Sequence, residues 1–137
     1  MQYRPEAKEL LSTIQDLLIK EILPKIEADE LLSYKTLVSW NMLGVIIRES
    51  EKEDEQSQEE FQSLLKLSSI LKDINLTTDQ FKALPRKEKL SRLKDWNSLL
   101  AKQLRETKNA EVGSEIWNQI KLGLKNNLSV SNPRFNV

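Results

Sequence analysis

The chain contains neither cysteine nor histidine. The first absence excludes disulfides, thiolate nucleophiles and Cys-ligated metals, and it suits a reducing compartment. The second removes the side chain whose unperturbed pKa lies nearest neutrality, the commonest general base and a common transition-metal ligand. Turn formers are scarce: three glycines and four prolines in 137 residues are too few for a many-stranded β protein. Gly44, Gly113 and Gly123 are isolated, so neither a Walker nor a dinucleotide phosphate cradle is available. An excess charge of either sign is also missing. Lys plus Arg and Asp plus Glu both total 21, which leaves no whole-chain field to steer the protein toward nucleic acid or an anionic membrane. The opening MQYRPEAKELL has no basic n-region and no apolar h-region, so no signal peptide is expected. No apolar run approaches the ~20 residues of a membrane-spanning helix. The expected location is the cytoplasm.

What is present is a foldable balance of 39% hydrophobic and 31% charged residues, in a chain of one domain's length. Ala7, Leu10, Leu11, Ile14, Leu17, Leu18 and Ile22 recur at three- and four-residue spacing and predict a first helix over about 5–23, ended or kinked by Pro24. A second, over about 31–52, is apolar almost all round in its middle, as central or shared helices are. EKEDEQSQEE, residues 51–60, has six acids against one lysine and no apolar residue, and reads as a solvated link. It lacks the glycine and alternating ligands of a calcium loop. A third helix is expected over 58–74, carrying Phe61, Leu64, Leu65, Ser68 and Leu71 inward. Thr77 with Gln80 forms a capping-box pattern, and Pro85 opens a fourth helix over 86–107, with Leu90, Leu93, Asn97, Leu100 and Leu104 on one stripe and Trp96 beside it. A fifth, over 110–128, presents Ile116, Trp117, Ile120, Leu124 and Leu128, followed by a non-helical tail over 129–137. The expected fold is all-α: a single domain, 1–137, built as an antiparallel bundle of about five helices.

Chemistry has few places to reside. The lack of histidine removes the Glu-x-x-His pattern of a di-metal bundle, and no glycine-rich elbow marks a hydrolase nucleophile. Glu21 and Glu49 sit at the margins of apolar stripes, but pairing with Arg48 or with solvent is the plainer account of Glu49. Segment 82–108 is basic, with Lys82, Arg86, Lys87, Lys89, Arg92, Lys94, Lys102, Arg105 and Lys108 against Glu88, Asp95 and Glu106. A solvated face balanced by the acidic 51–60 stretch explains it better than nucleic acid does. The odd residue is Asn41, an amide inside TLVSWNMLGVII. It shares a stripe with Leu37, Val38 and Val45, so burial is expected, and an unpaired buried amide costs about 1–3 kcal/mol. The expected partner is the tail segment Asn132-Pro133-Arg134-Phe135.

Arg4-Pro5, Glu9-Leu10-Leu11, Glu21-Ile22-Leu23-Pro24, Val38-Ser39-Trp40-Asn41-Met42-Leu43, Arg48-Glu49 and Asn132-Pro133-Arg134-Phe135 resemble, in order, the landmarks of a bacterial all-helical domain of unknown function. That family is found beside or fused to aminoglycoside-phosphotransferase-like kinases and near acyl-CoA dehydrogenases. The chain departs from it at Leu37, where the family usually has a basic residue, and at Ser39 and Trp40, where it has alanines. Its middle is also longer and more charged. The resemblance implies an accessory domain working with a kinase-like or acyl-CoA-handling enzyme, with no catalytic residue, metal or cofactor of its own. Two functional expectations stand. One is an interaction module that binds such an enzyme, or itself, through Trp40, Leu43 and Ile47. The other is a small-molecule protein or small enzyme, whose Arg4, Asn41, Arg48, Glu49, Asn132 and Arg134 converge on a phosphate-like or acyl-CoA-like anion.

Overall fold

The structure, a computed structural model, describes residues 4–107, 111 and 113–134. Among them every regular element is helical. Five α-helices form: α1 (Ala7–Leu17), α2 (Glu30–Leu65), α3 (Thr78–Ala83), α4 (Arg86–Thr107) and α5 (Glu115–Ser131). The chain divides into two compact units, Met1–Lys52 and Glu53–Val137.

The first unit is a helical hairpin. Glu6 and Glu9 close a capping box at the start of α1, with the Glu9 carboxylate accepting from the Glu6 amide at 2.9 Å. Pro24 exerts its effect before the chain reaches it. The helix loosens to a π turn over Leu18–Ile22, in which the Leu23 amide reaches back to the Leu18 carbonyl, and then tightens to a 3-10 turn over Leu23–Lys25. Asp29 restarts the chain, its carboxylate accepting from the Leu32 amide at 2.9 Å. α1 and the first half of α2 run antiparallel. The Gln15 amide donates to the Trp40 carbonyl at 2.9 Å, and Lys8 pairs with Glu51. Gly44 makes room for this approach, because a Cβ there would lie 3.1 Å from both the Gln15 amide nitrogen and an Arg48 guanidinium nitrogen.

The acidic stretch is not a link. Residues 51–60 lie inside α2, a helix of 36 residues that replaces the expected second and third helices. Polar composition forecasts exposure rather than a break, and Glu, Gln and Lys are good helix formers with no glycine or proline among them. The acids are also answered in space. In the second unit Arg86 pairs with Glu53, Lys89 with Asp54 and the Asn97 amide with Glu60. Ser57 is buried, and Gln56 donates to the Ser129 hydroxyl at 2.9 Å.

α2 ends at Leu65, before the expected residue 74, and the chain continues as a run of turns that drive Leu67 and Leu71 inward. The α3 capping box is present in both directions: the Thr77 hydroxyl accepts from the Gln80 amide, and the Gln80 side chain accepts from the Thr77 amide. Leu84 is extended ahead of Pro85, whose carbonyl accepts from the Glu88 and Lys89 amides to start α4. The contacts 53–86, 54–89 and 60–97 rise together, so α2 and α4 are parallel neighbours. The long 66–85 connection makes this possible, whereas short links give antiparallel pairs. α5 runs antiparallel to α2, with Ser129 beside Gln56 and the start of α5, Glu115 and Ile116, sharing a groove with Lys66 and Leu67 just past the end of α2.

The core belongs to the second unit. Phe61, Leu64, Leu67, Leu71, Phe81, Leu93, Trp96 and Leu100 form one buried cluster. Phe61 and Phe81 stack with ring centroids 4.2 Å apart, and Trp96 leans on Phe61 at 5.5 Å. Two helical faces differ from expectation. Leu90 is exposed at the end of its stripe, and α5 buries Gln119 while leaving Trp117, Ile120 and Leu124 exposed. α5 also extends to Ser131, so the expected tail begins as helix, and Phe135 lies outside the described residues.

Phe81→Ala is expected to lower stability by about 3–5 kcal/mol, and Thr77→Ala by about 1 kcal/mol. Urea unfolding followed by circular dichroism measures both. A loss below about 1 kcal/mol for Phe81→Ala would remove the ring stack from the stabilising core.

Candidate interaction surface

The first unit has almost nothing inside it. Among its described residues only Thr36, Gly44 and Ile47 are buried. Large hydrophobic side chains instead face outward, in two sets. On α1, Leu10, Ile14 and Leu17 are spaced i, i+4, i+7 and are 52%, 45% and 44% exposed. On α2, Leu31, Tyr34, Val38, Met42 and Ile46 follow one another at three and four residues, with Leu31 at 63% and Met42 at 60%. The side of α2 that receives α1 is marked by Trp40, Gly44 and Glu51. At about 100° per residue, Leu31, Val38 and Met42 point the opposite way. Two separate apolar faces therefore remain on one hairpin.

The residues expected to form a polar site come from both units. Asn41 is exposed, so its amide is hydrated and no buried-amide cost arises; this corrects its expected burial. It stands at the margin of the outward stripe of α2. Arg4 and Glu49 are exposed as well. Arg48 is half-buried, lying along α2 over Gly44 and beside Gln15. Asn132 and Arg134 follow α5 in the second unit, both exposed. Of the three residues expected at an interface, Trp40 is 38% exposed, Leu43 is half-buried, and Ile47 is buried at 8%. Ile47 is thus already covered within the chain, while the exposed apolar surface of α2 runs through Leu31, Val38 and Met42. The sequence lists all of these residues as apolar; helical phase relative to α1 separates them, and phase needs the partner helix.

In the second unit a groove of about 360 Å³ lies between α4 and α5. Leu100, Ala101, Leu104, Ile120 and Leu124 wall it, and Asn97, Gln119 and Asn127 bring amides to it. Gln119 Oε1 is buried without a hydrogen-bond partner. No group of three or more acidic side chains suited to a metal ion occurs among the described residues, and no helix there is long and apolar enough to cross a membrane. The Lys8 ammonium titrates above the ordinary lysine range, raised by its hydrogen bond and charge pairing with Glu51. The pair is largely exposed, and such pairs contribute little to stability.

Asn41→Ala is expected to change stability by less than about 0.5 kcal/mol. Gln119→Leu is expected to be neutral or stabilising, since it removes an orphaned acceptor. Chemical unfolding of both variants checks the assignment, and a loss above about 1 kcal/mol for Asn41→Ala would restore the buried-amide account.

No curated protein and no solved structure matches the chain. A family profile does. Its match covers residues 26–135, which takes in the Val38–Leu43 segment, Arg48-Glu49 and the tail through Phe135, and leaves the Arg4-Pro5 and Pro24 landmarks outside. The chain belongs to the family described as Domain of unknown function (DUF6285).

Proposed function

We propose that the protein is a non-catalytic helical interaction module, and that the α1 face formed by Leu10, Ile14 and Leu17 is where it docks on another protein. The observation that carries the reading is the contrast in burial between the two units. The second unit closes a core around Phe61, Phe81 and Trp96, whereas the first leaves Leu10, Ile14, Leu17, Leu31, Tyr34 and Met42 to solvent. Apolar surface of this extent, gathered on helical faces, is characteristic of protein–protein contact. An amphipathic helix presenting i, i+4, i+7 anchors suits a hydrophobic groove. The partner suggested by the resemblance is a kinase-like or acyl-CoA-handling enzyme, for which this chain acts as an accessory domain in the cytoplasm.

Affinity capture of the tagged chain from its native cytosol, read by mass spectrometry, tests this. Stoichiometric recovery of a phosphotransferase-like or acyl-CoA enzyme is expected. Ile14→Glu should abolish that recovery with helical content unchanged. Equal recovery by Ile14→Glu would refute docking through α1, and recovery of no such enzyme by the wild type would refute the accessory role.

A further inference from the structure

The outward stripe of α2 is a surface of a different kind from that on α1, because it is bracketed by charges of opposite sign, whereas Glu6 and Glu21 at the ends of the α1 face are both acids. Lys35 lies in it one turn beyond Leu31, and Glu49 lies in it two turns beyond Met42. The two are 14 residues apart, about 21 Å along the axis and on one side of the helix. Both are exposed, and neither forms an ion pair among the described residues. Between them the stripe carries only Val38, Met42, Val45 and Ile46. It therefore has an apolar centre, a cation at one end and an anion at the other.

A two-fold axis through such a surface makes it complementary to itself. Rotation by half a turn about the centre of the stripe lays a second α2 antiparallel on the first, brings cation end over anion end twice, and opposes the two helix dipoles favourably. Val38, Met42 and Ile46, 38%, 60% and 48% exposed, form the apolar centre between the two charges, and Leu31 and Tyr34 continue the apolar surface past Lys35. Lys35, Asn41 and Glu49 supply a polar rim. An isologous contact of two hairpins also gives each α2 what its nearly all-round apolar composition calls for, cover on the side that α1 leaves open.

We propose that this stripe is a homodimer face, covered by a second copy of the chain with α2 antiparallel to α2 and Lys35 of each protomer meeting the partner's Glu49. The proposal rests on the reading of the first unit as an interaction module, but it uses the α2 face rather than the α1 face, so the two are separable. Asn41, at the margin of the stripe, then becomes a rim amide near the two-fold axis, where a polar group fixes alignment at little cost.

Sedimentation velocity of the full chain tests it. The wild type is expected to be a dimer at micromolar concentration. Met42→Lys should be monomeric with unchanged far-ultraviolet circular dichroism, because Met42 is exposed within the protomer. Lys35→Glu and Glu49→Lys should each weaken dimerisation by about tenfold or more, and the double reversal should restore it to within a few-fold of wild type. A wild-type monomer at about 100 µM would overturn the proposal. So would a dimer that Met42→Lys leaves intact, or charge reversals that fail to rescue one another. Ile14→Glu is expected to remain dimeric while losing its enzyme partner, which keeps failure of the dimer distinct from failure of the accessory role.

Discussion

The stack of Phe61 on Phe81 is the contact on which the second unit depends. Phe61 is on α2 and Phe81 on the short α3, separated by a run of turns that has little regular structure of its own. A six-residue helix is too short to hold itself in water. Its capping box sets where it begins, and burial of the Phe81 ring sets where it docks. Once α3 is seated, Pro85 turns the chain and α4 returns parallel to α2, carrying Trp96 to the edge of the stack. The order of neighbours in this unit follows from that one aromatic contact rather than from the lengths of the links.

Electrostatics then completes the α2–α4 seam. Arg86, Lys89 and Asn97 step along α4 as Glu53, Asp54 and Glu60 step along α2. Each ion pair has one well-exposed member, Arg86 at 71% and Asp54 at 87%, so each adds at most about 1 kcal/mol. Their stronger effect is on register. A slide of one turn would set acid against leucine and leave Lys89, only 12% exposed, without its carboxylate. The basic α4 is thus internally matched, which accounts for its charge without nucleic acid.

How much of this was legible in the sequence depends on the range of the interaction that decides each feature. The α4 boundaries, the Thr77–Gln80 box and the all-helical class were readable because caps, prolines and apolar spacing act within a few residues. The acidic stretch was misread because a run of Glu and Gln looks alike in a helix and in a solvated link; the carboxylates settle into helix beside an α4 whose approach no local pattern encodes. The face of α5 failed for a related reason. Gln56, Ser129 and Asn126 make polar contacts that turn the helix so that Gln119 faces inward, while a hydrophobic pattern predicts Ile120 and Leu124 there. Asn41 failed because its apolar neighbours suggested a core that the two-helix unit does not contain.

That last error points to the physical difference between the two units. A four-segment unit with a stacked phenylalanine pair and a tryptophan tilted against it can exclude water from a closed cluster. A pair of helices cannot: within the hairpin each helix has one neighbour, and the hairpin by itself covers only one side of each. When the remaining arc is apolar over several turns, folding of the hairpin alone leaves hydrophobic surface exposed, at a cost of about 25 cal/mol for each Å². Such a surface carries a standing driving force for association. On α1 it has acids at both ends, Glu6 four residues before Leu10 and Glu21 four after Leu17, a frame that does not complement itself. On α2 it has Lys35 and Glu49 at opposite ends, a pattern that selects for a copy of itself, so that one hairpin presents two faces with different rules of recognition.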